Sequence, residues 1–324
     1  MKKVKWGILG TAGIAQKSTI PGMLQAKNCE LYAIAGRDGE KVASFQQSFH
    51  IPKGYTGYDA LLEDPQVEAV YIPLSNQLHK EWCIKAARKG KHIFCEKPLA
   101  PTEKDLLEIF RVCEENKVKI MEAFPYVHGP VLGRVKEIVA SGEIGSVLSV
   151  SASFFVPRHP ITNIRMRRDT LGGSIYDLGC YNTSLALEIF GACPRAVHAC
   201  GTLTEEQIDD YASIVMDFGG NRRAVSNCGM VLTPGNRRMH YIVYGEKGFV
   251  EVLDLGYNIP GEIPVTVSVG ENRRTENVLS PDNYMLEVEQ FGRCVTENEP
   301  YRFSHEASVW NARIIDSALE EIGY

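Results

Sequence analysis

The chain has 324 residues, 44% of them hydrophobic and 23% charged, with a formal net charge of −5; that is enough for two globular domains and lacks the clustered cations a nucleic-acid partner requires. Nine cysteines, odd in number and without CxxC spacing, read as reduced thiols, and no His/Cys spacing resembles a metal site. The apolar run Trp6–Leu9 is too short for a signal peptide, and no stretch approaches the roughly 20 apolar residues of a membrane helix, so the expectation is a cytoplasmic protein with no membrane partner.

The first 125 residues alternate strand and helix. Val4–Leu9 reads as a buried strand ending at Gly10, followed by Ile14, Ala15, Ile20, Met23 and Leu24 at helical spacing, which Pro21 should break or kink. Leu31–Ala35 is a second strand, the pattern Val42, Ala43, Phe45, Phe49 a helix, and Tyr58–Leu62 another short one. Glu68–Ile72 is a strand before a helix with Leu78, Trp82, Cys83, Ala86 and Ala87 on one face. His92–Cys95 is again a strand; Thr102 and Asp105 resemble a capping box opening the helix of Leu106–Cys113, and Val118–Ala123 closes the set. Repeated βα units predict a parallel, doubly wound α/β sheet.

Beyond a helix near Gly133–Ser141 the texture changes. Val147–Val156, Ala196–Leu203, Tyr211–Phe218, Ala224–Leu232 and Met239–Val252 are β-rich, with Gly219-Gly220-Asn221 as a hairpin turn, and Glu306–Ile322 is helical in pattern. The expectation is a Rossmann domain over 1–123 and an α+β domain over 124–324 with a large, mainly antiparallel, open-faced sheet. The last helix is free to pack back on the first domain. One face of that sheet should carry large apolar residues such as Phe154, Val215 and Tyr241, which points to a homodimer or dimer of dimers through it.

Gly10-Thr11-Ala12-Gly13-Ile14-Ala15 follows the first strand and opens the first helix, the context a dinucleotide fingerprint requires, with alanine in the second and third glycine places. Small residues let the backbone approach the pyrophosphate, and helix N-terminal amides face its charge. At the end of the second strand stands Gly36-Arg37-Asp38. Arg37 favours the 2′-phosphate of NADP, whereas Asp38 keeps the ribose hydroxyls of NAD in play.

Cys95-Glu96-Lys97-Pro98 lies at the C-terminal end of a predicted strand, where open α/β sheets bind ligands, and the bond before Pro98 can be cis. With Gly10–Ala15, Ser75-Asn76-Gln77-Leu78-His79 and Gly172-Gly173-Ser174-Ile175-Tyr176-Asp177-Leu178-Gly179-Cys180-Tyr181, the whole chain resembles the glucose–fructose oxidoreductase/inositol dehydrogenase family. That resemblance implies that Lys97 lies by the nicotinamide and the reacting oxygen. It implies that Ser75, Asn76, His79 and Glu96 belong to the cofactor site. It also implies that the Asp177–Tyr181 segment supplies an acid/base partner. Tyr181 stands where the inositol branch has histidine, as in the branch of dihydrodiol dehydrogenase and NADP-linked xylose dehydrogenase, which again leans towards NADP.

The chemistry is coherent by itself. Hydride leaving a C–OH carbon requires a proton to leave its oxygen. A tyrosine of ordinary pKa near ~10 is a poor base at neutral pH, and a nearby ammonium favours the phenolate. Tyr181 is therefore the expected proton donor/acceptor, Lys97 the electrostatic tuner and oxygen ligand, and Asp177, one helical turn away, the orienter. Asn163 and Arg165 are candidates for contacting substrate hydroxyls. The expected activity interconverts a secondary alcohol and a carbonyl on a sugar-like polyol or cyclic diol, with aldose 1-dehydrogenase and dihydrodiol dehydrogenase not separated. A non-catalytic NAD(P)-sensing regulator on the same fold is the alternative.

Overall fold

The structure, a computed structural model, describes residues 2–253 and 260–324. Along the chain run β1 (Val4–Leu9), a π-helical turn (Ala15–Thr19), α1 (Ile20–Gln25), β2 (Cys29–Gly36), α2 (Gly39–Phe49), β3 (Lys53–Thr56), α3 (Tyr58–Leu62) and β4 (Ala69–Ile72). Then follow α4 (Asn76–Arg88), β5 (His92–Glu96), α5 (Glu103–Glu115), β6 (Ile120–Ala123), α6 (Pro125–His128) and α7 (Pro130–Ala140). The remainder is β7 (Val147–Pro157), a second π-helical turn (Ile175–Gly179), α8 (Cys180–Phe190), β8 (Ala196–Leu203), β9 (Asp209–Gly219) and β10 (Arg222–Leu232). It ends with β11 (Arg238–Gly245), β12 (Gly248–Leu253), β13 (Gly261–Val269), β14 (Asn272–Ser280), α9 (Asn283–Glu297) and α10 (His305–Glu321). The chain divides into two compact units, Met1–His128 with Asp282–His305 and Gly129–Pro281 with Glu306–Tyr324.

In the first unit six parallel strands lie in the order β3-β2-β1-β4-β5-β6. This is a doubly wound order whose switch point falls between β1 and β4, so ligands bind outside the carboxyl ends of those strands. Apart from the exposed edge strand β3, the strand middles are mostly apolar and buried, as in sheets covered by helices on both faces. Trp6 on β1 packs edge-on against Phe94 of β5 (5.9 Å) and Phe291 of α9 (5.4 Å). Pro21 does not break the first helix. Residues 13–25 stay helical through it, and the bond its missing N–H cannot make is accommodated by the π-helical turn Ala15–Thr19 directly before it, where the Ile20 amide donates to Ala15 O. Thr102 caps α5 through the Asp105 amide (3.1 Å), as its sequence indicates.

In the second unit the order among the described residues is β14-β13-β12-β11-β7-β10-β9-β8. Every neighbouring pair is antiparallel except β7 with β10. The segment Met239–Val252, read as one β-rich stretch, is a hairpin, β11 and β12 turning at Gly245–Gly248. α8 packs on β7 and β10, and α7 on β13 and β14. α10 joins this unit through Thr183 Oγ1, which donates to Asn311 Oδ1 at 2.6 Å, while α9 belongs to the first. Strand alternation sorts the aromatic residues. Phe154 and Tyr241 face the helices and are 5% and 1% exposed, a correction to their expected place on the open face. Val215 does stand out at 40%, with Tyr211 and Tyr244.

Candidate active site

The turn after β1 meets the geometric demands of a pyrophosphate cradle. Gly10 has φ +129°, open only to glycine at low cost, and a side chain there would press on Leu74. Its amide donates to Ala35 O (2.8 Å), tying the loop to the end of β2. At Gly13 an added Cβ would meet nothing, so this face of the turn is open for a ligand. Thr11, Ala12 and Ile14 are half-buried around it, and Ala15 is buried. The donor set is backbone amide at a helix start, which suits an anion.

Arg37 and Asp38 leave β2 beside this turn, since a Cβ on Gly36 would lie 3.3 Å from Thr11. They have different partners. Asp38 caps α2, its Oδ1 accepting from the amides of Glu40 (3.0 Å) and Lys41 (3.2 Å). Arg37 is exposed and hydrogen-bonds the Tyr58 hydroxyl; burial raises the Tyr58 phenol pKa, and the guanidinium partly offsets that. The cation is thus presented to solvent, while the acid is engaged by its own helix.

Ser75 precedes α4 and makes no capping bond with its side chain, and Asn76 is the first residue of that helix. Both follow Leu74, the residue against Gly10. His79 is fully buried one turn later, with Nδ1 2.8 Å from Pro98 O and Nε2 3.0 Å from Leu74 O. Its ring therefore bridges the Ser75 loop to the Glu-Lys-Pro turn. Burial lowers its pKa.

The Lys97–Pro98 bond is cis. The Leu99 amide donates to the buried Glu122 Oε1 of β6 (2.9 Å), fixing the turn from its other side. Glu96 Oε1 accepts from Tyr71 OH (2.6 Å), whose oxygen lies 2.8 Å from Thr19 Oγ1 in the first π-helical turn. A chain of hydrogen bonds therefore joins the helix after the Gly10–Ala15 turn to the residue beside Lys97. These residues could hold a nicotinamide dinucleotide: Gly10–Ala15 would face its pyrophosphate, Arg37 its adenosine ribose end, and Ser75, Asn76, Glu96 and Lys97 would lie along it at the strand ends.

In the second unit Tyr181 sits at the start of α8. It is buried to 8% exposure, and its ring packs edge-on against Phe154 of β7 at 5.7 Å. Asp177 lies in the π-helical turn before it, so the two are not one regular α-turn apart as expected. Arg165 Nε donates to Asp177 Oδ2 at 2.7 Å. Asn163 caps the short turn Ile164–Met166, its Oδ1 accepting from the Arg165 amide (3.0 Å). The pair picked out for substrate contact thus builds and carries the partner of Asp177. Burial and Arg165 lower the pKa of His159, beside the same pair.

Asp209, which its sequence context does not single out, is fully buried at the start of β9. Its Oδ2 accepts from Ser174 Oγ (2.6 Å) and the Ile175 amide (2.8 Å). Among the described residues, no group of His, Cys, Asp and Glu could hold a metal ion, and no helix is long and apolar enough to cross a membrane.

Residues 4–124 match the oxidoreductase family with an NAD-binding Rossmann fold, GFO/IDH/MocA, and residues 132–251 match the GFO/IDH/MocA C-terminal domain. The chain is 37% identical to a D-xylose 1-dehydrogenase (NADP(+)) of Haloferax volcanii, covering 97% of this chain and 96% of that enzyme. It is 27% identical to a trans-1,2-dihydrobenzene-1,2-diol dehydrogenase of Xenopus laevis, over 98% of each. Among solved structures, a 3-ketoreductase from Actinomadura kijaniata in complex with NADP and TDP-benzene superimposes with a TM-score of 0.93 at 26% identity, covering 99% of this chain and 98% of that one. Other solved forms of that reductase carry a tyrosine-to-phenylalanine or a lysine-to-alanine replacement. The chain belongs to the GFO/IDH/MocA family and is an NAD(P)-dependent oxidoreductase built on a Rossmann domain and the family's C-terminal domain.

Proposed function

We propose that this enzyme interconverts a secondary alcohol and a carbonyl on a sugar-like polyol or cyclic diol, with NADP as its preferred cofactor. The observation that carries this reading is near-full-length similarity to an NADP-linked xylose dehydrogenase in a chain with Arg37 exposed at the end of β2. The bound nicotinamide supplies the hydride acceptor or donor; the protein's own residues handle the proton. Tyr181 donates or accepts it at the substrate oxygen, its ring fixed against Phe154. Lys97, at the end of β5, is assigned to the substrate oxygen as its electrostatic partner, and the Glu96–Tyr71–Thr19 chain and His79 hold its turn. Asp177, braced by Arg165, orients the segment that delivers Tyr181. That a lysine and a tyrosine are the residues replaced in the related reductase fits this assignment.

The test is NADP+ reduction by the purified enzyme on a panel of aldoses, including D-xylose, and cyclic trans-diols. Turnover that disappears in Tyr181→Phe with dinucleotide affinity unchanged, and that disappears in Lys97→Ala, supports the reading. Tight dinucleotide binding without turnover of any panel member points instead to a sensing protein. The exposed Tyr211, Val215 and Tyr244 support pairing with a second copy through the open sheet face; sedimentation as a monomer at micromolar protein contradicts that part.

A further inference from the structure

The segment that carries Asp177 and Tyr181 starts from a turn restrained by several groups of the second unit. The Gly172 and Gly173 amides donate to Arg167 O and Arg165 O, both at 2.9 Å. Tyr324 OH donates to Gly172 O at 2.8 Å, and the Arg168 guanidinium stacks over the Tyr324 ring at 3.5 Å. Gly173 has φ +114°, and a Cβ there would overlap Asp209 Oδ1, so the carboxylate sits directly against the bare Cα. Ser174 Oγ and the Ile175 amide, at the start of the π-helical turn, both point at the other oxygen of the same carboxylate. A carboxylate accepting amide and hydroxyl bonds at a helix start is favoured by the helix dipole and by charge-assisted hydrogen bonding.

We infer that Asp209 is a positioning residue for the reaction: from β9 its carboxylate clamps the Gly172–Ser174 turn and so sets where Tyr181 meets the substrate. This rests on the proposed role of Tyr181. Asp209, fully buried, acts through the turn it holds.

The clamp is strongest when the carboxylate is charged. Burial pushes its pKa up to about 7, against the opposing pull of Ser174 and the Ile175 amide. The ionisable groups that face it are the Cys228 thiol of β10 and the Tyr324 phenol, the latter beneath Arg168; burial raises both their pKa values. Asp210, next in the strand, is paired with Arg158 at 3.1 Å. With those neighbours uncharged or paired, Asp209 changes charge close to neutrality, and the clamp weakens as pH falls through that range.

The experiment compares wild type, Asp209→Asn and the milder Ser174→Ala in the full chain, first by amide hydrogen exchange. Loss of a charge-assisted bond should speed exchange of residues 175–181 by roughly tenfold or more, with the first unit's exchange and NADPH affinity unchanged. In NADP+-dependent oxidation of D-xylose, both variants should lower kcat by roughly ten- to a hundredfold. The double variant should be no worse than Asp209→Asn, the acid limb of the rate profile should move alkaline in Ser174→Ala, and it should vanish in Asp209→Asn. Unchanged exchange in both variants, or faster exchange spread evenly over the second unit, overturns the clamp. So do additive losses in kcat. A wild type that does not oxidise D-xylose counts against the proposed substrate, while the exchange comparison still decides the clamp.

Discussion

Replacing Arg37 by alanine should separate the two nicotinamide cofactors. Arg37 stands at the end of β2 beside the Gly10–Ala15 turn, with Tyr58 as its side-chain partner, whereas Asp38 is held by the amides of α2. A guanidinium meeting a 2′-phosphate makes two charge-assisted bonds, each worth about 1.5 kcal/mol at the lower, exposed end of the range. Their loss, about 3 kcal/mol, weakens NADPH binding by roughly a hundredfold at 1.4 kcal/mol per decade. NADH lacks that phosphate, so its affinity should hardly move, and the NADPH effect should shrink with added salt because the site is solvent-facing. Titration followed by the fluorescence of the reduced nicotinamide measures both ligands under the same conditions. Arg37→Lys should fall between, keeping the charge and losing the planar fork. Equal weakening of NADPH and NADH would mean that Arg37 supports the loop rather than reads the phosphate, and no change in either would remove it from the site.

Three further outcomes follow from the same geometry. Asp209 has a folded-state pKa of about 7 against an ordinary carboxyl value of 3.8. The folded state therefore favours its neutral form, and the stability this gives is full below the unfolded value. It is lost as pH rises through the folded one, a difference of roughly 4 kcal/mol; denaturant melts of wild type and Asp209→Asn should diverge across that window and run parallel above it. Gly173→Ala forces a left-handed residue and displaces Asp209, so it should cost about 3–5 kcal/mol in chemical denaturation; a loss below about 1 kcal/mol contradicts the packing of that turn. Tyr71→Phe removes the link from Thr19 to Glu96; it should lower kcat with little change in NADPH affinity, and an unaltered kcat would detach that network from Lys97.

Much of the first unit is legible because each βα unit announces itself: a short apolar run, a small-residue turn and a helix-period stripe. β3 escapes, because Lys53-Gly54-Tyr55-Thr56 is short, mostly exposed and without a run of apolar residues, and so does the single turn α6. The second unit is less legible for physical reasons. β14, Asn272–Ser280, is largely exposed and polar, so no alternation marks it. Its partner β13 carries no sequence signal either, and the first unit's α9 escapes because its apolar face is covered by a core to which it returns from far along the chain. The parallel pairing of β7 with β10 is a long-range choice that no local pattern encodes.

The site shows the same division. The small-residue turn Gly10–Ala15 is visible from its place between a strand and a helix, whereas Lys97 and Tyr181 are singled out by the motifs of the family the chain resembles, and their roles stay part of the proposal. Which acid faces which base is not visible. Arg165 finds Asp177 only because the loop from Asn163 folds back through the Gly172-Gly173 turn. Asp209 is a lone acid at a strand start until Ser174 and the Ile175 amide are seen to converge on it.

NADP+ reduction on the aldose and trans-diol panel, with Tyr181→Phe run beside the wild type and NADPH affinity measured for both, addresses the proposed chemistry itself. Wild type should turn over at least one member, and the variant should bind NADPH as tightly while losing roughly a hundred- to ten-thousandfold in kcat. A variant that keeps wild-type kcat would remove Tyr181 from the proton-transfer role and with it the proposed mechanism.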